Sequence, residues 1–140
     1  MSEARQLHLF KSKRQKGAVL PRSSEFELHC MVADALRRWC SPWWIYTHMP
    51  SGEKRDPVTA MRLKRMGTMP GWPDFQFFGP RQQVVFLELK RPGGGRLSEA
   101  QDEVSQRLVE FGHRYYCVND FQHALDILRD AEIVIARVSA

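Results

Sequence analysis

GWPDFQFFGPRQQVVFLELK, residues 71 to 90, reads as two short strands joined by a tight connection at Gly79, Pro80 and Arg81. Side chains alternate faces along a strand, so Val85, Leu87 and Leu89 share one face while Val84, Phe86, Glu88 and Lys90 share the other. The second face begins apolar and ends with a carboxylate and an ammonium two residues apart. Such charges at the end of an otherwise buried strand are costly unless a metal ion or a substrate phosphate compensates them. Asp74 enters the first strand just after Pro73, so closing the hairpin can set a second carboxylate beside Glu88.

Outward from this hairpin the punctuation is regular. Ser23 and Ser24 offer an N-cap, and Glu25 to Trp39 has helical periodicity, with Leu28, Val32, Ala35, Leu36 and Trp39 on one face. Ser41 and Pro42 stop that helix, and Trp43 to His48 suits a strand with His48 as a polar group at its end. A loop with Gly52 follows. Asp56 and Pro57 then start a helix that carries Arg62, Lys64 and Arg65 and stops at Gly67.

Beyond the hairpin, Arg91 to Arg96 is a loop with three glycines, and it lacks the Lys and Ser/Thr of a Walker loop. Ser98 to Gln101 is a capping box opening a helix to about Phe111, with Gly112 as its stop. Tyr115 to Val118 is a strand, Asn119 or Asp120 caps a last helix through Leu128, and Ile133 to Val138 is a terminal strand or extended tail. Helices and strands in this order predict an α/β (α+β) fold, a mixed sheet flanked by helices.

A chain of 140 residues can bury one core. Its longest apolar runs are only a few residues, too short to span a bilayer, and no apolar signal core opens it. A cytoplasmic protein without membrane attachment is expected. Cys30, Cys40 and Cys117 lack paired metal spacing and read as free thiols. The net charge of +5 is concentrated in residues 1 to 22, where Arg5, Lys11, Lys13, Arg14, Lys16 and Arg22 oppose only Glu3. We read this segment as a flexible basic arm preceding a domain over residues 23–140. A second excess of base surrounds the hairpin, at Lys54, Arg55, Arg62, Lys64, Arg65, Arg81, Lys90, Arg91 and Arg96. A polyanion would therefore be drawn to the place where Asp74, Glu88 and Lys90 meet.

Pro73-Asp74 followed by Glu88-Leu89-Lys90 resembles the signature of the PD-(D/E)xK nuclease superfamily, whose fold is restriction-endonuclease-like. The flanking words, Gly52, Arg55-Asp56-Pro57, Met66-Gly67, Pro70 to Asp74, Phe86 to Lys90 and Arg96 to Gln101, are similar to the VRR-NUC branch over roughly residues 24 to 130. The resemblance implies a Mg2+- or Mn2+-dependent endodeoxyribonuclease of replication and repair, selective for branched DNA in the manner of a Holliday-junction resolvase. A resolvase making two symmetric cuts implies a homodimer, for which Trp43, Trp44 and the C-terminal segment are candidate surfaces.

Hydrolysis of a phosphodiester needs an activated water, charge neutralisation at phosphorus and help for the leaving oxygen, and a hard divalent ion on oxygen ligands can give all three. Asp74 and Glu88 are the expected anionic ligands, and the resemblance implies the Leu89 carbonyl as a third. Lys90 would position or deprotonate the water. The resemblance also implies a catalytic, metal-binding Glu on the first helix, for which Glu25 is the choice and Glu27 the runner-up, and either also reads as a first-turn acid that complements the helix dipole. Gln101 looks like a family Gln near the site, and capping explains it as well. Arg62, Lys64, Arg65, Arg91 and Arg96 are expected phosphate contacts. No small-molecule cofactor is expected. Two other readings compete: a non-catalytic DNA-binding module in which Glu88 and Lys90 are a structural pair, and a nuclease of a restriction or toxin system.

Overall fold

The computed structural model describes residues 24–50 and 56–135. The expected basic arm, the Gly52 loop and the end of the expected terminal strand lie outside the described residues. The elements are α1 (Glu25–Trp39), β1 (Ile45–His48), α2 (Pro57–Arg65), β2 (Phe75–Phe78), β3 (Val84–Leu89), α3 (Glu99–Glu110), β4 (Arg114–Val118) and α4 (Phe121–Asp130). They form a four-stranded mixed sheet in the order β1-β2-β3-β4, with β1, β2 and β3 antiparallel and β4 parallel to β3. The fold class expected from the sequence is the one observed.

The alternation of the hairpin decides what lies on each side of the sheet. Val85, Leu87 and Leu89 pack into a core with Leu28, Val32 and Leu36 of α1 and Ala124, Ile127 and Leu128 of α4. Phe86 faces the opposite way, into a smaller cluster with Val104 and Leu108 of α3, Tyr115 and Cys117. Phe75 and Phe77 fill the middle of the larger core and are sealed from solvent. Each contributes roughly 1.5–3 kcal/mol by leaving water. The central strand β3 is thus covered on both faces, which is why its sequence is almost continuously apolar until Glu88.

Side-chain caps set the helix starts. Ser24 and Glu27 make a reciprocal capping box on α1, Asp56 caps α2 through the Thr59 N–H, Ser98 and Gln101 box α3, and Asp120 caps α4 through the His123 N–H. The β2–β3 turn is centred on Arg81 and Gln82, both with positive φ (55° and 62°), rather than on Gly79 and Pro80. Such a turn matches the twist of the two strands better than an ordinary one. Gly79 is needed instead for its missing side chain, because a Cβ there would fall 2.7 Å from the Trp44 ring. Trp44 is accordingly buried in the core, which corrects its expected place on a dimer surface, whereas Trp43 is exposed. Past α4 the chain bridges back to the end of α1, with Val134 opposite Cys40.

Gly71 places the entry to β2 against the start of α3. Its φ is +81°, and a Cβ would lie 2.4 Å from the Ala100 carbonyl carbon and 2.7 Å from the Gln101 nitrogen. Gly67 also has positive φ (+95°) but has nothing within 4 Å of a Cβ. Gly67→Ala therefore isolates backbone strain, about 1–2 kcal/mol, while Gly71→Ala adds a backbone collision. Urea denaturation is expected to show a clearly larger loss for Gly71→Ala than for Gly67→Ala.

Candidate active site

Antiparallel pairing puts Phe75 opposite Leu87 and thus carries Asp74, one step outside β2, toward Glu88. The Asp74 carboxylate is anchored there by the Leu89 N–H, which donates to Oδ2 at 2.8 Å. Its backbone carbonyl accepts from the Met49 N–H and from His48 Nδ1, each at 2.8 Å. Glu88 is 1% exposed and Lys90 7%. The Lys90 ammonium lies 3.0 Å from Glu88 Oε1.

Gln101 ties the acid to the base. Its Nε2 donates to Glu88 Oε1 and its Oε1 accepts from Lys90 Nζ, both at 2.7 Å. The same Oε1 also accepts from the Ser98 N–H. Gln101 therefore does both things its position suggested, capping α3 and reaching the end of β3. Glu88 Oε2 is buried with no hydrogen-bond partner among the described residues. An orphaned carboxylate oxygen in that setting is costly, and a cation is the simplest group that would satisfy it.

Burial, the Leu89 N–H and the neighbouring charges pull in different directions. Burial pushes the Asp74 carboxyl up, against the opposing pull of the Leu89 N–H, Lys90 and His48. Glu88 is pushed up to about 8 by burial first and the Asp74 charge second, with Lys90 pulling the other way and Glu25 adding a small upward push. Two carboxylates forced together in a poorly hydrated place resist carrying two charges at once. A divalent cation removes that resistance, so Asp74 and Glu88 fit a hard ion such as Mg2+ or Mn2+.

Other expected site residues are spread more widely. Glu25 is exposed at the start of α1 and makes no hydrogen bond or ion pair to this set among the described residues, although Glu88 feels its charge. The Glu27 carboxylate is engaged by the Ser24 N–H at 3.0 Å, as a capping acid is. Leu89 turns its side chain into the core and its peptide N–H to Asp74. Arg62, Lys64 and Arg65 are exposed on α2, a helix with no buried residue, and Arg91 and Arg96 are exposed on the glycine loop. Cys117 sits across from Glu88 in the ladder, and its thiol is pushed up by burial and then by the Glu88 charge, which keeps it protonated. All three cysteines are free.

The sequence reading missed His29. It lies one turn after Glu25 on α1, and one ring nitrogen of His29, one of His48 and an Asp74 oxygen all lie within 4.8 Å of one another.

An unfolded Glu88 titrates near its ordinary 4.5, and the folded one near 8. Below 4.5 the group is protonated in both states, so burial costs no charge; above 8 the folded chain bears the whole cost. Stability without metal therefore falls as pH rises through this window. In EDTA, the melting temperature of Glu88→Gln minus that of the unaltered protein is expected to grow from pH 5 to pH 8.5. Differential scanning fluorimetry across that range would read it, and a constant difference would contradict the burial argument.

Neither the family models nor the curated proteins yield a match to the sequence. Solved structures do. One described as a VRR_NUC domain protein aligns with a TM-score of 0.64 at 20% identity over 79% of this chain and 89% of its own. Another, described as a VRR_NUC domain, aligns with a TM-score of 0.52 at 16% identity over 77% of this chain and 97% of its own. With its mixed four-stranded sheet and flanking helices, the chain has the fold of these VRR_NUC domains.

Proposed function

We propose that this protein is a metal-dependent endonuclease that hydrolyses phosphodiester bonds in DNA. The observation that carries the reading is the meeting of Asp74, Glu88 and Lys90 at one strand end, with a buried Glu88 oxygen unsatisfied. Asp74 and Glu88 would hold Mg2+ or Mn2+. The Leu89 carbonyl supports them, because a strand residue projects its N–H and C=O to the same edge and the Leu89 N–H is already on Asp74. When bound, the cation supplies Lewis acidity at the phosphate and lowers the pKa of water.

The chain's own groups supply orientation. Lys90 has three donors, of which Glu88 and Gln101 account for two, leaving one for a phosphate oxygen or the attacking water. Gln101 prevents the ammonium from swinging away by holding it from α3. Arg91 and Arg96 flank this point on the loop leaving β3, and Arg62, Lys64 and Arg65 add a basic helix. These five would bind phosphates without reading sequence, which suits recognition by DNA shape. We extend the reading to branched DNA cut by a homodimer, since paired cuts across a junction need two active sites. No helix among the described residues is long and apolar enough to cross a membrane.

Labelled duplex, flap, splayed-arm and four-way-junction DNA, each with Mg2+, Mn2+ or EDTA, tests all of this together. Cleavage is expected with either metal, not in EDTA, and most efficiently on branched substrates. Asp74→Asn and Lys90→Ala are expected to lower the rate by more than about 100-fold while circular dichroism and salt-sensitive DNA binding persist. Binding without cleavage in the unaltered protein would favour a non-catalytic module. Light scattering decides the dimer.

A further inference from the structure

We propose that His29, His48 and Asp74 form a second cation site, one that takes a borderline ion such as Zn2+ or Mn2+ beside the Asp74–Glu88 pair. Three ligand atoms from three separate segments, α1, the end of β1 and the entry to β2, lie within 4.8 Å of one another. Zinc binds nitrogen and carboxylate oxygen at about 2.0–2.2 Å, and two imidazoles with one carboxylate and an open position is a ligand set it accepts. All three side chains are half-buried.

A second observation concerns the orientation of His48. Its Nδ1 is 2.8 Å from the Asp74 backbone carbonyl, which can only accept, so this nitrogen is the donor. Metal-bound histidines are held in this way, by donating the other ring N–H to a carbonyl or carboxylate. The His29 ring is also fixed, stacked on Phe75 at 4.6 Å and edge-on to His48 at 4.3 Å. Little side-chain freedom remains to be lost when an ion enters.

The two sites differ in ligand chemistry. Asp74 and Glu88 offer oxygen alone, which suits Mg2+, whereas two imidazoles favour Zn2+ and its neighbours. Asp74 belongs to both, so an ion on the histidines adds positive charge next to the place proposed for the scissile phosphate. This site does not require that DNA be cut, and it can be read with no nucleic acid present.

The test uses tag-free full-length protein stripped with EDTA. Calorimetric titration with Zn2+ and visible absorption with Co2+ are compared among the unaltered chain, His29→Gln, His48→Gln and Glu88→Gln, each first checked by circular dichroism. Zn2+ binding is expected in the unaltered protein, retained in Glu88→Gln, and weakened at least about tenfold in each histidine variant. Backbone amides of residues 29 and 48 are expected to broaden first when Mn2+ is added in an NMR titration. Unchanged Zn2+ affinity in the histidine variants, absence of Zn2+ and Co2+ binding in the unaltered chain, or binding lost only with Glu88 would each overturn the proposal. If one histidine variant does not fold, the other decides.

Discussion

Two carboxyl groups held across one antiparallel step, with almost no water around the second, are the constraint to which the rest of this molecule responds. Asp74 and Glu88 are brought together by backbone pairing between β2 and β3, not by attraction between themselves. Their repulsion is offset by the Leu89 N–H on one acid and by Lys90 and Gln101 on the other. The hydrophobic cores on the two faces of β3 supply the energy that keeps this unfavourable pair in place. Strain concentrated at one strand end and supported by packing elsewhere is the usual signature of a functional site.

The three polar partners reach that point by different routes. Lys90 comes with β3, two residues beyond Glu88, on the face that alternation dictates. Gln101 arrives from α3, the crossover that a parallel β3–β4 pair requires. His48 approaches from β1, whose register sets it opposite Phe75. One central hairpin therefore gathers side chains from β1 and α3 at one end of the sheet.

Much of this was legible in the chain. The alternating hairpin, the Ser98 capping box, and Pro57 after Asp56 each depend on local rules, and each element lies within a few residues of its expected bounds. The Asp74–Glu88 approach was legible too, because a hairpin forces residues of fixed separation together. His29 was not. Its partners lie 19 and 45 residues away, and no local periodicity distinguishes a histidine that packs on Phe75 from one that points to solvent. Trp44 was misjudged for a similar reason: its burial depends on the bare backbone of Gly79, 35 positions later. The double engagement of Gln101 was read by two routes, capping from a local rule and nearness to the site only from the resemblance, since the reach to Glu88 is tertiary.

The dependence of Lys90 and Glu88 on Gln101 has a bearing on biosynthesis. A hairpin can close early, within microseconds, but the parallel pairing that delivers α3 must wait for a long stretch of chain to be made and docked. Until then the ammonium has lost one of its two anchors and the acid one of its neighbours. A nascent or partly unravelled copy consequently lacks the joined arrangement of Glu88, Lys90 and Gln101, which exists only in molecules whose assembly is finished.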